Sequence, residues 1–231
     1  MRNHAAAAPL LAISFTIVCG LGQVTGSGPA AANDLERVLA LSNRPSPAPY
    51  RALRRIEGGL QESDKRGWLE ASTEFDPARG LRYEVLREGG SEYVRKNILV
   101  RMLATEQQLL ASGKRLRASL DAGNYDFSDG GVNEAGLQQI VMRPVKKSDA
   151  LVNGRLFLDP ATQLMTRIEG RLVKSPSFWL RDVDVSWNFA QMEGHLMPVE
   201  MSSTGRVRMF GRSNFRMVYK YQSIDGRAVQ Q

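Results

Sequence analysis

The side chains that could carry out chemistry are few and widely separated along the chain. His195 is the one histidine besides His4, and it follows Gly194 in a predicted hairpin turn. Nucleophilic catalysis of the serine, histidine and acid type needs a histidine that neighbouring groups hold in one orientation. A histidine in a turn argues against that chemistry. The single cysteine, Cys19, lies in an apolar run near the N-terminus and is not placed for catalysis.

A pair of carboxylates, Asp182 and Asp184, lies two residues apart, so both point to the same face of a predicted strand. Paired carboxylates serve glycoside hydrolysis in many enzymes. Here Arg206 and Arg208 are expected on the adjoining strand, and this favours cross-strand ion pairs in solvent over catalysis.

Metal and nucleotide sites also lack their usual residues. Without a second histidine or a cysteine in the body of the chain, the nitrogen and sulfur ligands of zinc and iron sites are missing. Gly89-Gly90 and Gly130-Gly131 do not stand between a strand and a helix, as a phosphate-binding loop would. We therefore predict no catalytic residue, no metal site and no cofactor.

The N-terminal segment has the pattern of a secretion signal. Residues 1–32 contain one formal charge, Arg2, followed by an apolar run from Ala5 to Leu21 and small residues at Ala30–Ala32. The sequence predicts a cleaved signal peptide over 1–32, with a retained membrane anchor as the alternative. Removing it lowers the net charge from +7 to +6. An exported chain makes nucleic acid an unexpected partner.

The remaining residues, 33–231, are enough for a single domain with its own core. Basic side chains are dispersed over it, which predicts a solvated basic surface, or contact with anionic lipid headgroups as the functional alternative. The basic side chains on which this rests are Arg54, Arg55, Arg79, Arg82, Arg95, Lys96, Arg101, Lys114, Arg115 and Arg117.

Two segments have helical spacing of their apolar residues. The first, over 33–43, begins at Asn33 and ends before three closely spaced prolines. The second, over 91–111, contains neither proline nor glycine and carries an apolar stripe that includes Leu99, Met102 and Leu103. The spacing predicts that this helix covers a sheet.

Strand patterns occupy the other regions. Three strands in hairpins are predicted between Tyr50 and Glu88, and Ser119–Asn133 is expected to be an extended loop around a short segment at 125–127. Residues 136–224 contain short alternating segments joined by turn residues, which predicts an antiparallel meander.

The last strands of this meander have one face that is rich in methionine and aromatic residues. Polar and charged residues alternate with them and are predicted to lie on the solvent side. This face is either the ordinary core beneath the second helix or a surface that adapts to a ligand, as methionine-rich surfaces do. The candidate ligand-binding residues are Trp179, Val183, Val185, Trp187, Phe189, Met197, Met201, Met209, Phe215, Met217 and Tyr219.

Several stretches are similar to an uncharacterised bacterial branch of the outer-membrane lipoprotein-sorting superfamily, which has the LolA, LolB and RseB fold. The likeness spans most of the chain from Tyr50 to Ile224. The stretches that carry it are Gly67–Glu70, Gly80–Val85, Glu88–Arg95, Gly154–Thr162 and Lys174–Trp179.

The resemblance implies a mostly β (α+β) fold, a half-open antiparallel barrel of about eleven strands whose concave face is covered by helices. It implies a periplasmic, non-enzymatic carrier that binds a lipid or a lipoprotein acyl chain on that face, with Leu99, Met102 and Leu103 in the lid. The alternative is an RseB-like interaction or sensory module that regulates an envelope protein partner. The ligand and the oligomeric state stay open.

Overall fold

The computed structural model describes residues 48–61, 63, 65–111 and 120–230. The predicted signal peptide over 1–32 and the predicted helix over 33–43 lie outside these residues. Among the described residues, no helix is both long and apolar enough to cross a membrane.

Eleven antiparallel strands form one sheet in the order β3-β2-β1-β10-β9-β8-β7-β6-β5-β4, with β11 on β10. The two outer strands, β3 and β4, do not pair with each other, so the sheet is open. The predicted antiparallel sheet of about eleven strands is therefore confirmed. The strands are β1 Tyr50–Leu60, β2 Arg66–Asp76, β3 Gly80–Gly90, β4 Tyr125–Val132, β5 Gln138–Pro144, β6 Val152–Leu158, β7 Met165–Leu172, β8 Leu180–Met192, β9 His195–Val207, β10 Gly211–Ile224 and β11 Arg227–Ala228.

One helical segment, α1, follows β3 in the chain and coincides with the helix predicted over 91–111. It is α-helical over Glu92–Val94, π-helical over Arg95–Leu99 and α-helical again over Val100–Ala111. The Oγ of Ser91 accepts a hydrogen bond from the Val94 amide and caps its start. The segment packs chiefly against β1–β3.

The strand β4 is longer than the segment predicted at 125–127. Its polar and glycine-rich sequence favours a loop, but six of its eight residues pair with β5, with an irregularity between Asp129 and Val132. Cross-strand pairing has overridden the weak local strand preference, as it often does in sheets.

The core lies on the inner face of the sheet, the face that α1 covers. Alternate residues of each strand point inward, and the apolar ones form a large cluster with Leu99, Met102 and Leu103 of α1. A smaller cluster of Ala48, Ala52, Met197, Tyr221 and Ile224 lies apart from it. The outer face carries charged residues in cross-strand pairs, such as Arg55 with Glu70 at 2.9 Å.

Candidate functional site

A row of small residues crosses the inner face and lets α1 approach the sheet closely. Gly67 of β2 pairs with Gly58 of β1. A Cβ atom on Gly67 would lie 3.1 Å from the Cβ of Val94, and one on Gly58 would lie 3.6 Å from a methyl group of Leu99. Glycine therefore seats the first turns of α1 directly on the sheet.

A buried ion pair joins the far half of α1 to the sheet. Arg54 of β1 is only 1% exposed, and Glu106 of α1 is also buried. The guanidinium donates from Nη1 to Oε2 at 2.6 Å and from Nη2 to Oε1 at 3.2 Å, in a bidentate arrangement. We call this the Arg54–Glu106 tether.

Aromatic rings and one methionine surround the guanidinium of Arg54. It donates a second Nη2 hydrogen bond to the hydroxyl of Tyr50, and its Cζ lies 4.7 Å from the centre of the Tyr219 ring. Burial alone would lower the pKa of Arg54, but the charge of Glu106, together with Tyr50 and Tyr219, holds it well above the usual value. The guanidinium of Arg54 therefore keeps its charge in the folded protein.

Three tyrosines near this region, together with Tyr125 on β4, have a raised hydroxyl pKa. Burial is the main cause for Tyr50, Tyr125, Tyr219 and Tyr221. The unfolded chain releases these protons near pH 10, whereas the folded chain retains them, so stability is full below pH 10 and falls as the pH rises further.

We expect the phenolate absorbance of these four tyrosines near 295 nm to rise together with the loss of the far-ultraviolet circular dichroism signal in an alkaline titration. Because Tyr219→Phe removes one of these ionising groups, its alkaline loss of stability should be less steep. Phenolate absorbance from all four tyrosines in a chain with intact circular dichroism would contradict the burial described here.

The predicted ligand-binding residues are mostly brought together in the core. Seven of the eleven are buried, and six of those belong to the large cluster: Val183, Val185, Trp187, Phe189, Met201 and Met217. Phe215 and Tyr219 are partly buried and pack against that cluster. Met197 belongs to the smaller cluster and does not join the others.

Two of the predicted residues do not lie on the inner face, and the prediction for them is wrong. Met209 is 91% exposed, because β9 ends at Val207 and the chain turns at Met209 with a φ of 67°. Trp179 is 37% exposed, because an irregularity in β8 between Arg181 and Asp184 shifts the alternation and turns Leu180 inward instead.

The residues considered for catalysis are placed in ordinary structural surroundings. Asp184 forms a bidentate surface pair with Arg171, with oxygen to nitrogen distances of 2.7 and 3.0 Å. His195 is half-buried, rather than exposed as predicted, and its Nε2 lies 3.9 Å from an oxygen of Asp225. These pairs stabilise strand ends and connections.

A groove of about 620 Å³ lies on the outer face over β5–β9. Most of its lining residues are polar or charged, including Asn153, Arg155, Glu169 and Thr204. They do not include the apolar side chains predicted to bind a ligand, apart from Val185. This groove therefore does not contain the apolar surface that the sequence predicts to bind a ligand.

Sequence reasoning missed the tether. It placed Arg54 among the solvated basic side chains, which is wrong, and it did not consider Glu106. The signal was present, because Arg54 is in phase with the inward residues Ala52 and Ile56, and Glu106 continues the stripe of Leu99, Met102 and Leu103. A charged residue of each sign, in phase with an apolar face, indicates a buried pair.

The chain matches no family model and no curated protein. It is similar to solved structures of low identity. One is a LolA superfamily protein from Nitrosomonas europaea, with 10% identity, a TM-score of 0.39 and coverage of 84% of this chain and 92% of that one.

Two further solved structures are similar over most of their lengths. A putative outer membrane lipoprotein-sorting protein domain from Vibrio parahaemolyticus has 10% identity, a TM-score of 0.37 and coverage of 84% of this chain and 92% of that one. A DUF1329 family protein from Desulfovibrio piger has 9% identity, a TM-score of 0.41 and coverage of 81% and 89%.

Proposed function

We propose that the protein is a non-enzymatic carrier that holds an acyl chain, from a lipid or a lipoprotein, between α1 and the inner face of the sheet. One observation carries the proposal: a methionine-rich apolar face lies beneath a single helical segment that a polar tether holds in place. The signal-peptide pattern and the resemblance to the lipoprotein-sorting superfamily support a periplasmic location.

The methionines are distributed over both sides of this interface. Because their side chains are flexible and polarizable, they can repack around an inserted chain at low cost, as a close-packed leucine core cannot. Five of them belong to the large core cluster: Met102, Met142, Met165, Met201 and Met217.

The position of α1 suggests how the chain would enter. The segment packs chiefly against β1–β3, whereas Trp187 and Met201 lie across the inner face on β8 and β9. Movement of α1 would expose these side chains without breaking any strand pairing. The tether would then separate, so opening requires that two charges be rehydrated.

A disulfide between β3 and the end of α1 tests this proposal. A Cβ atom on Gly80 would lie 4.0 Å from the Cβ of Ala111, within the range that disulfides span. In a Cys19→Ala background, oxidised Gly80→Cys/Ala111→Cys should take up a dansyl fatty acid at least ~10-fold more slowly than the same protein after reduction. The reason is that the bond holds α1 on the sheet.

The reduced protein is the matched control, because it carries the same substitutions, including a side chain at the positive φ of Gly80. Gly80→Cys alone should respond to neither oxidant nor reductant. Equal uptake by the oxidised and reduced forms would show that the acyl chain does not enter beneath α1. If purified wild-type protein neither contains lipid nor gains thermal stability from fatty acid or phospholipid, the carrier proposal is wrong. Recovery of an envelope protein by the same lipid-free protein would then favour the regulatory module.

A further inference from the structure

Large exposed apolar side chains are concentrated at one end of the sheet. We call this end the tip; it is formed by the connections β1–β2, β3–α1, β5–β6, β7–β8 and β9–β10. Of nine such side chains among the described residues, six lie there: Tyr93, Val145, Phe178, Trp179, Met209 and Phe210. Val132, the last residue of β4, and Leu109, in the last turn of α1, lie towards the opposite end, so most of these side chains are at the tip.

Three of these connections are joined into one surface. The amide of Arg208 donates to the carbonyl of Trp179 at 2.9 Å, and the guanidinium of Arg208 lies 4.2 Å from the centre of the Phe178 ring. The Nζ of Lys65, in the β1–β2 connection, lies 5.5 Å from the centre of the Phe210 ring. These connections therefore form one surface, on which Phe178 and Phe210 each lie beside a cation.

The turn that carries Met209 is built against local preference. Met209 has a φ of 67°, a left-handed conformation that favours glycine or asparagine, and its side chain is almost fully exposed. Methionine at this position neither suits the backbone conformation nor adds to the packing of the core. An exposed apolar residue at a strained position indicates that the side chain serves an external contact.

Charged residues are also distributed unevenly between the two ends of the sheet, with basic residues concentrated at the tip. The connections at the tip contain five basic residues: Lys65, Lys146, Lys147, Lys174 and Arg208. Arg66, Arg181, Arg206 and Arg212 lie on the adjacent strand ends. The acids at this end include Glu92, Asp121, Asp126, Asp149 and Asp182, and Glu62 and Asp64 belong by sequence to the β1–β2 connection. Glu92 is paired with Lys96, Asp182 is paired with Arg206, and Asp126 lies opposite Arg143.

The described residues at the opposite end are more acidic. The acids in its connections and adjacent strand ends are Asp76, Glu134, Asp159, Glu193 and Asp225, and the basic residues are Arg51, Arg79 and Arg227. An anionic surface would therefore attract the tip more strongly than the described part of the other end.

We propose that the tip docks on an anionic lipid bilayer, with Phe178, Trp179, Met209 and Phe210 inserted at the level of the headgroups. Aromatic rings flanked by arginine and lysine suit this interface, because the rings leave water while the cations meet lipid phosphates. The four side chains project from two adjoining connections, so they enter a fluid surface more readily than they cover a folded partner. The proposal does not depend on a ligand beneath α1.

The experiment measures whether the Trp179 side chain enters the lipid bilayer. The full chain is mixed with phosphatidylglycerol vesicles and with phosphatidylcholine vesicles, some containing brominated acyl chains that quench nearby indoles. Because every variant contains residues 1–32, any membrane binding by that segment is the same in all of them. We expect quenching and a blue shift of Trp179 emission with the anionic vesicles, weaker at high salt, and absent in Trp179→Phe.

The double variant Met209→Ser/Phe210→Ser should weaken vesicle-dependent Trp179 quenching by ~10-fold or more, because two apolar anchors are lost. The matched control is Val132→Ser at the opposite end, an equally exposed apolar residue that should have no effect. Lys146→Gln/Lys147→Gln should reduce the preference for anionic vesicles and its dependence on salt.

Three results would overturn the proposal: wild-type Trp179 emission unchanged by anionic vesicles, equal quenching in the double variant, or an equal loss in Val132→Ser. Self-association that the double variant abolishes, without a response to vesicles, would assign the tip to a protein contact instead. None of these results alters the comparison of acyl uptake between oxidised and reduced Gly80→Cys/Ala111→Cys. The two proposals can therefore fail independently of each other.

Discussion

Glu106→Leu should lower the free energy of unfolding by about 3–5 kcal/mol, because it leaves the guanidinium of Arg54 buried without its counter-charge. The hydroxyl of Tyr50 would be its remaining oxygen partner among the contacts described. For a chain of this size the loss corresponds to a melting temperature lower by roughly 6–20 °C. Differential scanning calorimetry and urea titration measure both quantities.

The double variant Arg54→Met/Glu106→Leu separates the charge from the packing. Replacing a buried ion pair by apolar residues of similar volume is often neutral or stabilising, so the double variant should recover most of the stability lost in Glu106→Leu. Asp184→Asn, which breaks the exposed pair with Arg171, should melt close to wild type. A single variant as stable as wild type would show that the tether is not buried as described.

The same double variant informs the carrier proposal. Stability restored without the ion pair, together with faster acyl uptake, would show that the tether governs the opening of α1 rather than the stability of the fold. Unchanged uptake in a stable double variant would remove the tether from the proposed mechanism.

Gly154→Ala should destabilise the protein by more than ~3 kcal/mol, beyond the usual cost of overpacking a core. Gly154 of β6 faces Gly170 of β7 on the inner face. A Cβ atom on Gly154 would lie 2.6 Å from the Cα of Gly170 and closer still to the carbonyl oxygen of Glu169. Both obstacles are backbone atoms, so no rotamer change can make room, and the two strands must separate.

The matched control is Gly123→Ala, where the nearest atom to a new Cβ is a side-chain oxygen of Asp121 at 3.2 Å. That carboxylate can rotate, so this variant should melt near wild type. Insoluble or poorly folded Gly154→Ala beside a normal Gly123→Ala agrees with the prediction. A Gly154→Ala variant that melts like wild type would mean that β6 and β7 are farther apart than the structure places them.

Much of the fold could be read from local sequence, because period-two and helical spacing report which side of an element faces the core. The alternation in Val183, Val185 and Trp187 was enough to place these residues inside. The proline-free and glycine-free stretch with its apolar stripe likewise predicted α1. These patterns depend only on neighbours within a few residues, which a sequence displays directly.

The period-two pattern of apolar residues gave a wrong placement where a single residue shifted the alternation between the two faces of the strand. The positive φ of Asp182 and the turn at Met209 are local backbone events, but their effect is to place Trp179 and Met209 in solvent instead of on the inner face. A period-two pattern carries no record of an irregularity inside it, since a single added residue inverts every later assignment.

The sequence by itself determined the strands, the helix, the apolar face and the shortage of catalytic residue types. Only the tertiary structure decided which distant residues meet: Arg54 with Glu106, Gly154 with Gly170, and the two connections that display Phe178 and Phe210 at one end. The physical reason is that these contacts join residues far apart in the chain, and strand order and register set them. Each depends on the path of the whole sheet, which no local spacing encodes.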